Sequence, residues 1–199
     1  EQQEINNLHI VIMKALGRAW SDLSDLPADW LHSPEISEPA ARLRQIVKRE
    51  FEHTPLWGIK DPRMCLLLPL WLELFETAKI DPAFVIIVRN PAEVAQSIAR
   101  RDGIAESRGL MIWLRHVLSA ERHTRGHRRL FVTYRQLLDN WRPVIDRIGK
   151  TLKITWPTSP DVASAKVTEF LEPSMRKHRI DDAAFLQNPS IPDLVHRAY

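Results

Sequence analysis

Cysteine is nearly missing from this chain, with Cys65 the only one. That excludes an internal disulfide framework. Its place in the apolar run MCLLLPLWL reads as a small buried hydrophobe in a protein of a reducing, cytoplasmic compartment. Long apolar runs are missing too: the longest, Met64 to Leu72, is nine residues with a proline inside, against about 18 to 20 for a membrane-spanning helix. No membrane span is expected. The opening EQQEINNLHI has neither the basic start nor the apolar block of a signal peptide, and it lacks a methionine, so further residues are expected ahead of it. Charge of one sign is not in large excess, with 28 basic and 25 acidic residues, net +3 and a pI near 9.2. This favours small anionic ligands and disfavours nucleic acid, which calls for a stronger basic concentration. Eight histidines offer no metal set: His123 and His127 are four apart, but Gly126 intervenes and no cysteine or acidic partner completes a tetrahedral site. Glycine is scarce at six, never clustered.

What is present suits a folded single domain spanning 1–199, with 44% hydrophobic and 27% charged residues. Ile5, Leu8, Ile12 and Leu16 recur at helical spacing up to Gly17, where a C-cap glycine belongs. Ser21 to Pro39 reads as a surface loop, and Leu43, Ile46, Val47 and Phe51 restart a helix. LWGIK, between Pro55 and the Asp61–Pro62 pair, reads as a first strand ending at Lys60. A helix bearing Leu67, Leu70, Trp71 and Leu74 follows, kinked by Pro69 or starting there. FVIIV, apolar on both faces, predicts a strand covered by helices on each side. Asn90, Pro91 and Glu93 then supply a cap, a first-turn proline and a capping-box spacing. A helix over about 108–124, a strand in RLFVTY, a helix broken near Asn140 and a last helix over Val162 to Leu171 complete the reading. Trp71, Trp113 and Trp141 fall on apolar stripes and read as core. Repeated β-then-α order argues for an α/β sandwich with a mainly parallel sheet.

In open parallel sheets, ligands bind beyond the C-terminal strand ends. All three expected strands end there in a polar residue: Lys60, Arg89 and Tyr134. Arg89 leaves its strand just before a capped helix, and Ser97 lies two turns along that helix from Asn90, so the two can grip one phosphate if Arg89 lies back along the helix. The same pattern also reads as a solvated arginine and a serine bonding into its own helix. Lys60, Asp61 and Arg63 crowd one strand exit and suit a polyanion, or form a surface salt bridge.

WGIKDPRMCLLLPLW, FVIIVRNPAEVAQSIARRDG and LFVTYRQLLDNW together resemble the successive core motifs of sulfotransferases that use 3′-phosphoadenosine 5′-phosphosulfate, especially the bacterial branch. The likeness runs over about residues 1–179, and RNPAEVAQS is its most specific part. The resemblance implies a P-loop NTPase-like three-layer fold and metal-free transfer of a sulfuryl group to a hydroxyl or amine of a small-molecule or carbohydrate acceptor. It implies Arg89 and Ser97 at the nucleotide 3′-phosphate, Tyr134 at the adenine, and Lys60 beside the transferred sulfonate. The basic stretch PSMRKHR, through Arg176 and Lys177, is similar to a loop that also touches the 3′-phosphate; it reads equally as a solvated charge run.

Two departures stand out. Family members carry a glycine-rich loop after their first strand that holds the 5′-phosphosulfate. This chain has none and resembles the segment starting just after it, so the first strand and loop are expected to be missing. A partner chain or further residues are then expected in the vacant sheet position, and a homo-oligomer is left open. Second, the histidine base that many members place two residues after the lysine is Pro62 here. Glu4, in QEIN, resembles an alternative glutamate base of other branches, and Asp61 is the local rival. A catalytically silent binding or assembly module of the same fold is the other reading. The loop over Ser21 to Pro39 and the stretch from Ile104 to Gly109 are the expected acceptor walls.

Overall fold

A computed structural model describes residues 3–171 and 180–199. The protein is a mixed α/β structure, mainly helical, and its residues cluster into two compact units. The first comprises Glu1–Pro82 with Ser119–Thr124, and the second Ala83–Leu118 with Arg125–Tyr199.

In the first unit, α1 (Gln3–Ala15) packs against α2 (Pro34–Phe51), and α3 (Met64–Thr77) follows. Ile5, Leu8, His9 and Ile12 of α1 are buried at spacings of three and four, so the histidine belongs to the core stripe. Gly17, at φ 63°, takes the left-handed conformation expected past the helix end. At two prolines the structure decides the helix start, correcting the expected loop end at Pro39 and removing Pro69 as a starting point. Helix α2 starts nine residues before Leu43 and contains Pro39, so the expected loop ends before Pro34. Helix α3 starts at Met64, ahead of Pro69, which sits inside it. Burial of the α2 stripe through Ile36, Ala40, Leu43 and Val47, and of Leu67, Leu70, Trp71 and Leu74 in α3, outweighs one lost backbone donor in each.

The strand expected over LWGIK does not form, and that segment is irregular. Its side chains are held by the helical core instead: Trp57 stacks on Phe51 at 4.3 Å and tilts against Phe75 at 6.2 Å. A short apolar run looks the same whether it pairs with a strand or covers helices.

In the second unit, β1 (Ala83–Val88) pairs in parallel with β2 (Arg128–Thr133), in a register that sets Val88 beside Thr133. Between them run α4 (Pro91–Asp102) and α5 (Glu106–His123), the last turn of which, from Ser119, clusters with the first unit. After β2 come α6 (Tyr134–Asp139) and α7 (Trp141–Leu152), broken at Asn140 as expected, then α8 (Pro160–Phe170), α9 (Asp182–Leu186) and α10 (Asp193–Ala198). Alternate strand positions join two separate apolar clusters. Ala83, Leu130 and Val132 pack with Val144, Ile148 and Leu152 of α7. Ile86 and Val88 pack with Ala95 of α4, Trp113 and Leu114 of α5, Phe185 of α9 and Val195 of α10. Each face of the strand pair thus carries one buried strand residue, Val88 on one and Val132 on the other, while Phe131 of β2 stays exposed. Coverage is incomplete on β1, where Val85 and Ile87 remain 39% and 50% exposed. Among the described residues the sheet has these two strands alone, and no helix is long and apolar enough to cross a membrane.

Candidate functional site

The parallel register carries Arg89 and Tyr134 to neighbouring positions just past the ends of β1 and β2. There the guanidinium carbon of Arg89 lies over the Tyr134 ring, 5.2 Å from its centre. This cation–π seat orients the planar fork and leaves its edge to other partners. The indole Nε1–H of Trp113, on α5, donates to the Arg89 carbonyl at 3.0 Å and fixes the backbone from which the arginine springs.

Arg89 does lie back along α4. Its Nε donates to Glu93 Oε2 at 2.9 Å, and Ser97 stands one turn further on the same helical face, half-buried. No hydrogen bond joins Ser97 to Arg89 among the described residues. The expected capping box is only half made. Asn90 Oδ1 accepts from Ala92 N at 3.0 Å, but Glu93 does not reach back, since its other oxygen accepts from Ile180 N at 3.0 Å. Pro91 has no N–H and that of Ala92 is capped, so an anion here would depend on the guanidinium more than on helix amides.

Asp182, which opens α9, completes the cluster. It accepts from Tyr199 Oη at 2.9 Å, from Asn90 Nδ2 at 3.2 Å and from Arg135 Nη1 at 3.2 Å. Burial pulls its carboxyl upward, but the bonds from Tyr199 and Asn90 and the charge of Arg135 outweigh it and lower the pKa. Tyr199 is pushed up to about 12, first by burial and then by its bond to that carboxylate. An open pocket of about 460 Å³ lies at the same strand ends, lined by Val88, Thr133, Val117 of α5, Asp182 and Tyr199.

The residues expected around the reacting group lie in the first unit. Lys60 is exposed, in irregular chain rather than at a strand end. Asp61 is not an open base: its side chain is fully buried and its oxygens are taken. Oδ2 contacts His9 Nδ1 at 2.8 Å, and Oδ1 accepts from Arg63 N at 2.9 Å and Arg63 Nε at 2.8 Å. His9 Nε2 in turn accepts the Trp71 indole N–H at 2.9 Å, so the imidazole proton sits on Nδ1 and is donated to Asp61. Burial alone would raise the Asp61 carboxyl, but the bonds from His9 and Arg63 prevail and hold it at about 2. A carboxylate so satisfied anchors the turn into α3 and is a poor proton acceptor. Glu4 is accessible on α1, held by Arg49 at 2.7 Å and Arg42 at 3.5 Å, and the Arg49 bond chiefly lowers its pKa. Arg176 and Lys177 lie outside the described residues.

No family model, curated protein or solved structure matches the chain.

Of the residues expected at the nucleotide, the fold therefore unites Arg89, expected at the phosphate, with Tyr134, expected at the adenine, and sets Ser97 one turn from the carboxylate that Arg89 holds. The sequence reading missed the second role of Asn90, the carboxylates of Glu93 and Asp182, and Tyr199. Glu93 carried a signal, since an acid four residues after an arginine at a helix start is a natural ion-pair partner. Asp182 and Tyr199 carried none, because they reach the site only through the folding of α9 and α10.

Proposed function

We propose that the second unit binds the nucleotide of 3′-phosphoadenosine 5′-phosphosulfate, and that the protein moves its sulfuryl group to a hydroxyl or amine of a small-molecule or carbohydrate acceptor. The observation that carries this reading is the Arg89 guanidinium seated on the Tyr134 ring past the ends of two adjacent parallel strands. A guanidinium fork suits a phosphate, and an aromatic ring beside it suits a purine. The reading brings with it a P-loop NTPase-like three-layer fold, of which the strand pair and its helices would be one part.

In the transfer, the acceptor oxygen or nitrogen attacks sulfur as the bond from sulfur to the bridging 5′-phosphate oxygen breaks. Adenosine 3′,5′-bisphosphate leaves with the electron pair, and the acceptor proton passes to a base. Of the two bases expected from sequence, Glu4 alone is accessible, and its ion pairs make it a weak one.

That weakness favours a second reading, a binding module of the same fold without catalysis. Isothermal titration with adenosine 3′,5′-bisphosphate, followed by an assay of sulfuryl transfer, separates the two. Both readings expect one site per chain, weakened about tenfold or more in Arg89→Ala by loss of a charged hydrogen bond; only the enzyme reading expects turnover. Absence of binding would end both.

A further inference from the structure

Glu93 is the feature that this reading does not use. Its carboxylate, 12% exposed, bridges the Arg89 Nε–H at 2.9 Å and the Ile180 amide at 3.0 Å. It thus occupies an edge of the very guanidinium that an anion would need, and it ties down the backbone two residues before α9. Resting on the anion-binding reading above, we propose that Glu93 is a built-in competitor: it tunes the Arg89 site toward doubly charged phosphomonoesters, and an anion that displaces it releases the Ile180 amide.

The selectivity follows from charge. Arg89 and Glu93 together are neutral, so an approaching anion meets little net attraction until Glu93 swings aside. A monoanion, such as a phosphodiester or sulfate ester, then replaces one carboxylate charge with another and gains little. A phosphomonoester dianion brings twice the charge and more acceptor oxygens, so it can outcompete the carboxylate. Displacement also strips Ile180 N–H of its acceptor. The neighbouring ties of that segment, Asp182 to Asn90 and Tyr199 Oη to Asp182, lie within the same cluster. Anion binding and the hold on the start of α9 are therefore linked, and a ligand that favours one state must shift the other.

The test uses the isosteric variant Glu93→Gln, which keeps an acceptor for Ile180 but cannot accept charge-assisted bonds from Arg89 as a carboxylate does. Adenosine 3′,5′-bisphosphate is titrated into wild type and variant, and amide exchange at Ile180 is followed in wild type with and without saturating ligand. The expected result is binding about tenfold tighter in Glu93→Gln, with faster Ile180 exchange in liganded wild type. Equal or weaker binding in the variant, or Ile180 protection unchanged by ligand, overturns this proposal while leaving the nucleotide reading intact. Binding to neither protein overturns both.

Discussion

Asp61 contributes to stability only while it is ionised. Its ordinary carboxyl value is 3.8 and its folded value about 2, so the unfolded chain takes up the proton first as pH falls. The contribution is complete above roughly pH 5, declines through that interval and is gone below about 2, amounting to about 2 kcal/mol. Urea unfolding of wild type and Asp61→Asn between pH 6 and 2 should show the acid loss in wild type and a flatter profile in the variant. Tyr199 offers a second reading at this scale. With Tyr134→Phe removing the other tyrosine of the chain's two, absorbance should report Tyr199 ionising near 12, and Asp182→Asn should bring that midpoint down. A folded pKa above the unfolded one means this contribution is full below about pH 10 and lost as pH rises through the folded value. How legible were these residues? His9 sits four after Ile5 on the apolar stripe, and a core histidine demands a buried partner, but nothing in the sequence names Asp61 as that partner 52 residues away. Asp61 was visible as a candidate; its burial was not.

The close crossing of α4 and α5 turns on one glycine. A Cβ at Gly109 would stand 2.9 Å from the Ala95 Cα and 3.1 Å from its Cβ, contacts that only a backbone shift relieves. Gly109→Ala should cost about 1 to 3 kcal/mol by overpacking, measured as a lower denaturant midpoint. Gly103, whose neighbourhood is open but whose φ is 68°, should cost only about 1 kcal/mol as alanine, from backbone strain. Helices α1, α4, α5 and the α6–α7 break were legible because period, caps and breakers agreed. The expected strand at LWGIK fails because so short an apolar run carries too little period to separate a paired strand from a segment packed on helices. Helix α2 was read short because Pro39 looks like a boundary when the apolar stripe through Ile36 and Ala40 is ignored.

Across the whole molecule, alternation of strand and helix correctly indicates a parallel pairing; β1 ends at Val88, beside Arg89, whereas β2 ends at Thr133, one residue short of the expected end at Tyr134, which opens α6 instead. Only two strands form among the described residues, so the wider sheet expected from sequence is not realised there. Net charge of +3 and a guanidinium at the strand ends favour an anionic ligand held largely by electrostatics, so affinity should fall as salt is raised. The central claim concerns one phosphate, and the direct measurement compares adenosine 3′,5′-bisphosphate with adenosine 5′-monophosphate by calorimetry in wild type and Arg89→Ala. The account predicts that wild type prefers the bisphosphate by about tenfold or more and that the substitution abolishes the preference. Equal affinity for the two nucleotides in wild type, or a preference that survives loss of the arginine, would contradict it.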